Sequence, residues 1–317
     1  MGETTIMTRE ELAGAITRVL EAMAAHDPAS AGLAAGARYT ENGQELALGD
    51  GLWGTLDTLG TYRHDFLDTV NGQGATIITI AEGAVRSILV LRVRLTAEGI
   101  SEVEAIAARP DAISGQAAFA EGPNQLDLSG GPAPEWFAPI PEAERLSRAE
   151  LRRVANMYFS GIEKNDGKGE YPFADGCIRI ENGFRTTDVP GVAPAEEAPA
   201  NKDTPYQPDF RAMGARAQLE TGFFRFVDRI RERRFPIIDE ERGTVFSFAF
   251  FDHSGTVREY ELANGRKVTT GLTRPFSWEI GEGFRIEKGL FTRIEAVMTP
   301  CPYGMRANWP LEEGDIA

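Results

Sequence analysis

Two cysteines, three histidines and no long apolar run are all that 317 residues offer to the chemistries that depend on them. Cys177 and Cys301 are too few for a disulfide framework or a zinc ribbon and read as packed thiols. His26, His64 and His253 are scattered, and neither His-x-x-x-His nor Cys-x-x-Cys occurs, so no metal is expected. Gly-x-Gly-x-x-Gly after a strand, a phosphate loop and a Gly-x-Ser-x-Gly elbow are missing too, which leaves no expected cofactor and no serine hydrolase. Positive charge is scarce: Lys and Arg number 33 against 48 Asp and Glu, and the net charge of -15 argues against nucleic acid or an anionic membrane as partner. The densest basic stretch, Arg231-Glu232-Arg233-Arg234, reads as a solvated helix end. No apolar run approaches the roughly 20 residues that cross a bilayer. The N-terminal stretch carries acidic residues where a signal peptide needs a basic flank, so the expectation is a soluble, cytoplasmic protein.

What the chain does have is a repeat. Thr8-Arg9-Glu10-Glu11-Leu12 opens a helical pattern leading to Glu41-Asn42-Gly43, and Ser147-Arg148-Ala149-Glu150-Leu151 opens another leading to Glu181-Asn182-Gly183. The triplets lie 140 residues apart. Val103-Glu104-Ala105-Ile106 is echoed by Ile294-Glu295-Ala296-Val297, so the correspondence runs through each half. Thr8 with Glu11, and Ser147 with Glu150, form capping boxes, and apolar residues at helical spacing follow both. Strand patterns cover 75–80, 84–95 and 100–108, then 244–252, 257–262, 276–280 and 290–298. Tight turns at Gly83 and Gly99 predict antiparallel neighbours, hence an α+β class. Residues 121–146, with a Pro-rich start, read as a linker between a first domain over 1–120 and a second over 147–317. The second carries an inserted Pro-rich loop at 189–208 and an added hairpin around 257–280. Matching Gly83-Ala84-Val85 to Gly243-Thr244-Val245 sets an offset of 160 after the insertion.

A helix, a Glu-Asn-Gly turn and a bent sheet ending in Ser101-Glu102-Val103-Glu104-Ala105-Ile106 resemble the NTF2-like (SnoaL-like) superfamily, once in each half. Tyr62-Arg63-His64-Asp65-Phe66, Leu91-Arg92-Val93 and Pro302-Tyr303-Gly304-Met305 with Trp309-Pro310 look like a branch whose members carry two such units. The resemblance implies two tandem cone-shaped α+β barrels, each with a pocket at its open end. It also implies relatives such as scytalone dehydratase, ketosteroid isomerase, polyketide cyclases and a lyase that releases formaldehyde from lignin-derived diarylpropanes. Fold alone does not choose among these. Units of this kind commonly dimerise through their sheets, so the resemblance implies a pseudo-dimer within one chain, with a homo-oligomer left open.

His64 is the leading candidate for proton transfer, since histidine changes charge near neutral pH, with Tyr62, Arg63 and Asp65 beside it. At an offset of 160 these four correspond to Gly222, Phe223, Phe224 and Arg225, so the polar set is expected in the first half only. Arg92 is a candidate to stabilise an oxyanion, and Tyr39 to donate a proton at the pocket rim. Each also reads as ordinary packing or solvation. Glu104 and Glu295, and the residues of both Glu-Asn-Gly turns, recur in the two halves and read as scaffold. His253 reads as a strand end entering a turn and His26 as a helix end. The resulting expectation is a cofactor-independent lyase or dehydratase acting on a small aromatic or polycyclic molecule in an apolar pocket. An isomerase of the same pocket type, or a binding protein without catalysis, remains the alternative.

Overall fold

The computed structural model describes residues 7–110, 120–192 and 210–317. The first half runs α1 (Arg9–Ala24), β1 (Leu33–Glu41), β2 (Gln44–Glu45), α2 (Leu52–Thr55), β3 (Thr58–Asp68), β4 (Gln73–Glu82), β5 (Val85–Thr96) and β6 (Gly99–Ala108). α3 (Gly122–Leu128) leads to the second half: α4 (Arg148–Glu163), β7 (Phe173–Glu181), β8 (Phe184–Arg185), α5 (Ala215–Glu220), β9 (Arg229–Asp239) and β10 (Thr244–His253). A hairpin of β11 (Glu259–Glu261) and β12 (Lys267–Thr269) precedes β13 (Phe276–Glu287) and β14 (Leu290–Cys301).

Both capping boxes form, Glu11 accepting from the Thr8 backbone at 2.7 Å and Glu150 from that of Ser147 at 3.0 Å. Each helix buries its apolar stripe, through Leu12, Ile16 and Val19 in one and Leu151, Val154 and Phe159 in the other. The two sheets share one strand order, β2-β1-β6-β5-β4-β3 and β8-β7-β14-β13-β10-β9. They are mixed rather than purely antiparallel, because β1 runs parallel to β6 and β7 to β14. Edge strands remain at both ends of each order, so the expected cone-shaped barrels are open six-stranded sheets among the described residues. The molecule is thus α+β, with two similar sheet bodies in tandem.

Pairing corrects the sequence arithmetic. Gly243, at φ +58, makes the β9–β10 turn and is the counterpart of Gly72, at φ +62 in the β3–β4 turn, rather than of Gly83. The extra chain before β9 is therefore longer, and the hairpin before β13 shorter, than the spacing predicts. Of the expected loop at 189–208, residues 193–208 lie outside the described residues. The Arg231–Arg234 run is part of edge strand β9 and not a solvated helix end: Arg233 and Arg234 are buried. Pro236 is tolerated there because an edge strand has a side without ladder bonds.

The sheets pack face to face through Tyr62, Phe66, Val90, Phe246, Phe248 and Val297. Around this seam the halves grip each other in matching pairs. Arg9 at the start of α1 bonds Asp239 at the end of β9, and Arg148 at the start of α4 bonds Asp68 at the end of β3. The segment expected as a linker is packed rather than slack. Asp127 of α3 accepts from the Tyr62 backbone at 2.9 Å and from Thr79 at 2.6 Å, and Trp136 lies 4.7 Å from the His64 ring. The C-terminal segment straps the halves together: Trp309 donates to Thr40 at 2.8 Å, and Ile316 bridges Arg233. Among the described residues no helix is long and apolar enough to cross a membrane.

Gly283 faces this seam, and a Cβ there would stand 2.4 Å from Cζ of Phe66. Gly283→Ala is expected to destabilise the chain by about 1–3 kcal/mol through overpacking, measured as a lowered urea midpoint. An unchanged midpoint would show that the Phe66 ring has room to yield.

Candidate functional site in the second half

The residues singled out from sequence do not gather round one cavity. Tyr62 and His64 leave the same face of β3 into the seam, where both meet Glu295 of β14, the phenol at 2.8 Å and His64 Nδ1 at 2.7 Å. His64 is 1 % exposed and packed against Phe66 and Trp136. Arg63 and Asp65 leave the opposite face and bond each other at 2.8 Å, and Arg63 also donates to Thr17 on α1. Arg92 is buried against Glu104 at 2.6 Å and Gln73 at 2.7 Å. Arg234 clamps the same Glu104 from the other half. Opposite Phe248 in the pairing, Arg234 takes the place that His64 holds opposite Ile77, so the two seam contacts are a repeated device. Tyr39 donates to Glu41 at 2.6 Å inside the first half. Asn42 and Asn182 bond the strands beside them through Ala107 and Met298, a shared scaffold element. His26 sits past the end of α1 and meets the Trp53 carbonyl at 2.9 Å.

A cavity of about 130 Å³ lies inside the second half, between α4 and the helix-side face of its sheet. β13 supplies Trp278, Ile280 and Glu282, and β7 supplies Arg179 and Glu181. α4 brings Tyr158 and Ile162. Phe224 and Phe226, from the short helical turn after α5, stand with Trp278 and Met298 among the partly exposed residues of the lining, which marks the mouth. A larger groove of about 660 Å³ runs between β9 and the C-terminal segment, and two of the cations that line it, Arg229 and Arg231, bond Asp252.

The cavity floor is polar and incompletely satisfied. Glu282 is buried, one of its carboxyl oxygens has no hydrogen-bond partner among the described residues, and the same holds for Nη1 of Arg179. Burial pushes the Glu282 carboxyl up to about 8, with the charge of Glu181 adding to it and Arg179 opposing. It is therefore mostly protonated at neutral pH. Burial, with Glu282 next in effect, likewise raises the Tyr158 phenol far above its usual range, so it stays a donor. Burial works against the charge of Arg179, yet Glu181 at 3.4 Å, together with Tyr158 and Glu282, outweighs it and the guanidinium stays ionised. Gln218 at 2.5 Å and Thr186 at 3.1 Å fix its other nitrogens.

His253 belongs to the wall rather than the floor. It pairs with Phe276 on β13, six residues from Glu282, or about 20 Å along an extended strand. Its ring stacks on Phe276 at 4.6 Å and faces Phe226 at 5.8 Å, and burial lowers its pKa to about 4, against the pull of Asp228 and Asp252. It is a neutral aromatic surface at pH 7.

The same positions of the first half are filled and quiet. By pairing register Glu282 corresponds to Leu91, Arg179 to Tyr39, and Glu181 to Glu41. There the Glu41 carboxylate accepts from Tyr39 and from the Leu52 backbone at 2.8 Å and pairs with Arg109 at 2.7 Å, while Trp53 packs on Tyr39. The comparison between halves thus points to the second one. Sequence reading missed Glu282 because its strand was ended at Ile280. The signal was present: Phe276, Trp278, Ile280, Phe284 and Ile286 alternate on one face, and Glu282 is the charged break in that series.

A buried acid whose folded pKa lies above its unfolded value binds its proton more tightly in the native state, so its contribution is full below about 4.5 and is lost as pH rises to about 8. Unfolding at pH 5 and pH 8.5 should therefore show a smaller loss of stability in Glu282→Gln than in the parent, by about 2–4 kcal/mol. Equal losses in both would mean that Glu282 is ionised in the native protein.

Among the described residues no group of three His, Cys, Asp or Glu is placed to hold a metal ion. A family described as a domain of unknown function (DUF8021) matches residues 144–298, the half that contains the cavity. No curated protein matches the chain in sequence. Similar solved structures include a de novo designed protein with a curved β-sheet, 13 % identical, with a TM-score of 0.25 over 49 % of this chain and 88 % of that one. Another is AclR, a proposed hydroxylase from Streptomyces galilaeus, 15 % identical, with a TM-score of 0.27 over 48 % of this chain and 91 % of that one.

Proposed function

We propose that the two halves are NTF2-like units and that the second is the working one, a cofactor-independent lyase or dehydratase whose acid is Glu282. The observation that carries this reading is the buried Glu282 carboxyl, one oxygen of it unbonded, on the cavity floor with Tyr158 and Arg179, where burial raises its pKa to about 8. In an elimination, the Glu282 carboxyl gives its proton to a leaving hydroxyl as the C–O bond breaks and water departs. The carboxylate left behind takes a proton from the neighbouring carbon as the double bond forms, which restores the acid. Arg179 stabilises the negative charge that exists between the two transfers, and Tyr158 donates to it. Loss of solvent exposure strengthens both interactions. The aromatic mouth of Phe224, Phe226 and Trp278 fits a small aromatic substrate.

The test is a panel of hydroxylated aromatic compounds incubated with the protein and read by product mass. A product lighter by one water, or by the fragment of a C–C cleavage, supports the lyase. A product of unchanged mass reassigns the same residues to isomerisation. Tight binding with no product at any pH makes the protein a carrier.

A further inference from the structure

We propose that the second-half cavity takes its substrate as an anion, a planar compound whose ionised oxygen docks on Nη1 of Arg179 while its flat body lies against Trp278 and Phe226. This rests on the cavity being the reactive site and names the chemistry of what enters it. Arg179 is 3 % exposed, carries a permanent charge and lines the cavity. Its guanidinium is held by Thr186 and Gln218, and Gln218 is itself fixed by the carbonyls of Thr186 and Phe210 at 2.6 and 2.7 Å. One donor, Nη1, is left over without an acceptor among the described residues, on a side chain that lines the cavity. A buried charged donor is costly to leave unmade, and a carboxylate or phenolate oxygen answers it best. Glu181 meets Arg179 through Nε at 3.4 Å from the partly exposed side and leaves Nη1 without an acceptor. In the first half Tyr39 stands at the position of Arg179, and its hydroxyl is already bonded to Glu41, so no cationic donor is left open there.

Calorimetric titration with 4-hydroxybenzoate and with its neutral isostere 4-hydroxybenzamide at pH 7 tests this without requiring turnover. The acid is expected to bind at least tenfold tighter than the amide, and Arg179→Gln to abolish the difference. His64→Ala, which changes the seam and not the cavity lining, should keep the preference. Equal binding of acid and amide, a preference that survives in Arg179→Gln, or no binding of either at millimolar concentration would overturn the proposal. A preference retained by Glu282→Gln, with no product formed by the parent from any compound of the panel, would uphold the anion anchor and reject the lyase.

Discussion

Glu282→Gln is expected to lower turnover by about 10²–10⁴-fold, the usual worth of a positioned general acid, while the protein stays folded. The amide fills the same volume and still donates a hydrogen bond, but it cannot release a proton. Because the parent carboxyl loses its proton at about 8, the parent rate should fall as pH rises through that value. In the variant, what little rate remains should have no such alkaline limb. The assay is steady-state product formation between pH 5 and pH 9.5 on whichever panel compound is turned over. A variant with parental rate, or a parent whose rate rises through pH 8, would remove Glu282 from the chemistry. His253, although the more familiar acid–base residue, should leave no limb in the neutral range, since burial lowers its pKa to about 4 and it stands on the wall among phenylalanines.

His64→Ala should behave in the opposite manner, with a stability loss of about 3–5 kcal/mol and turnover per folded molecule retained. The substitution takes one of two partners from Glu295, which is 2 % exposed and cannot recover them from water. It also empties the space between Phe66 and Trp136. Urea unfolding measures the first effect and active-site-normalised turnover the second. A folded variant without turnover would return the chemistry to the first half. The Asp68–Arg148 and Asp239–Arg9 grips lie in the same seam and should be left intact, so the variant should lose stability without losing its overall arrangement.

Much of the framework was legible in order of residues. Two capping boxes and two Glu-Asn-Gly turns announced a repeated α+β unit, because helix caps and tight turns depend on neighbours within a few positions. The parallel strands β1 and β7 were not legible. Leu33–Glu41 holds three alanines and a glycine, weak strand formers, and it is stabilised by β6 rather than by its own composition. The arginines of β9 misled for a related reason: charge usually marks solvent, and only the facing half supplies Glu104 to hold Arg234 in the interior.

The cavity shows most clearly where sequence stops. Gly281 and Gly283 flank Glu282, just past the end of the strand expected over 276–280. Their reason lies across the seam, where Val90 and Phe66 press so closely that a Cβ would stand 3.1 and 2.4 Å away. The sequence alone determined the duplication, the two opening helices, the class and the absence of a metal-ligand motif, all set by local pattern and composition. Tertiary structure decided which half carries an open, unsatisfied floor and that His64 belongs to a seam. Both depend on groups far apart in the chain, such as Tyr158, Arg179 and Glu282, whose protonation is fixed by burial and by one another rather than by their neighbours in sequence.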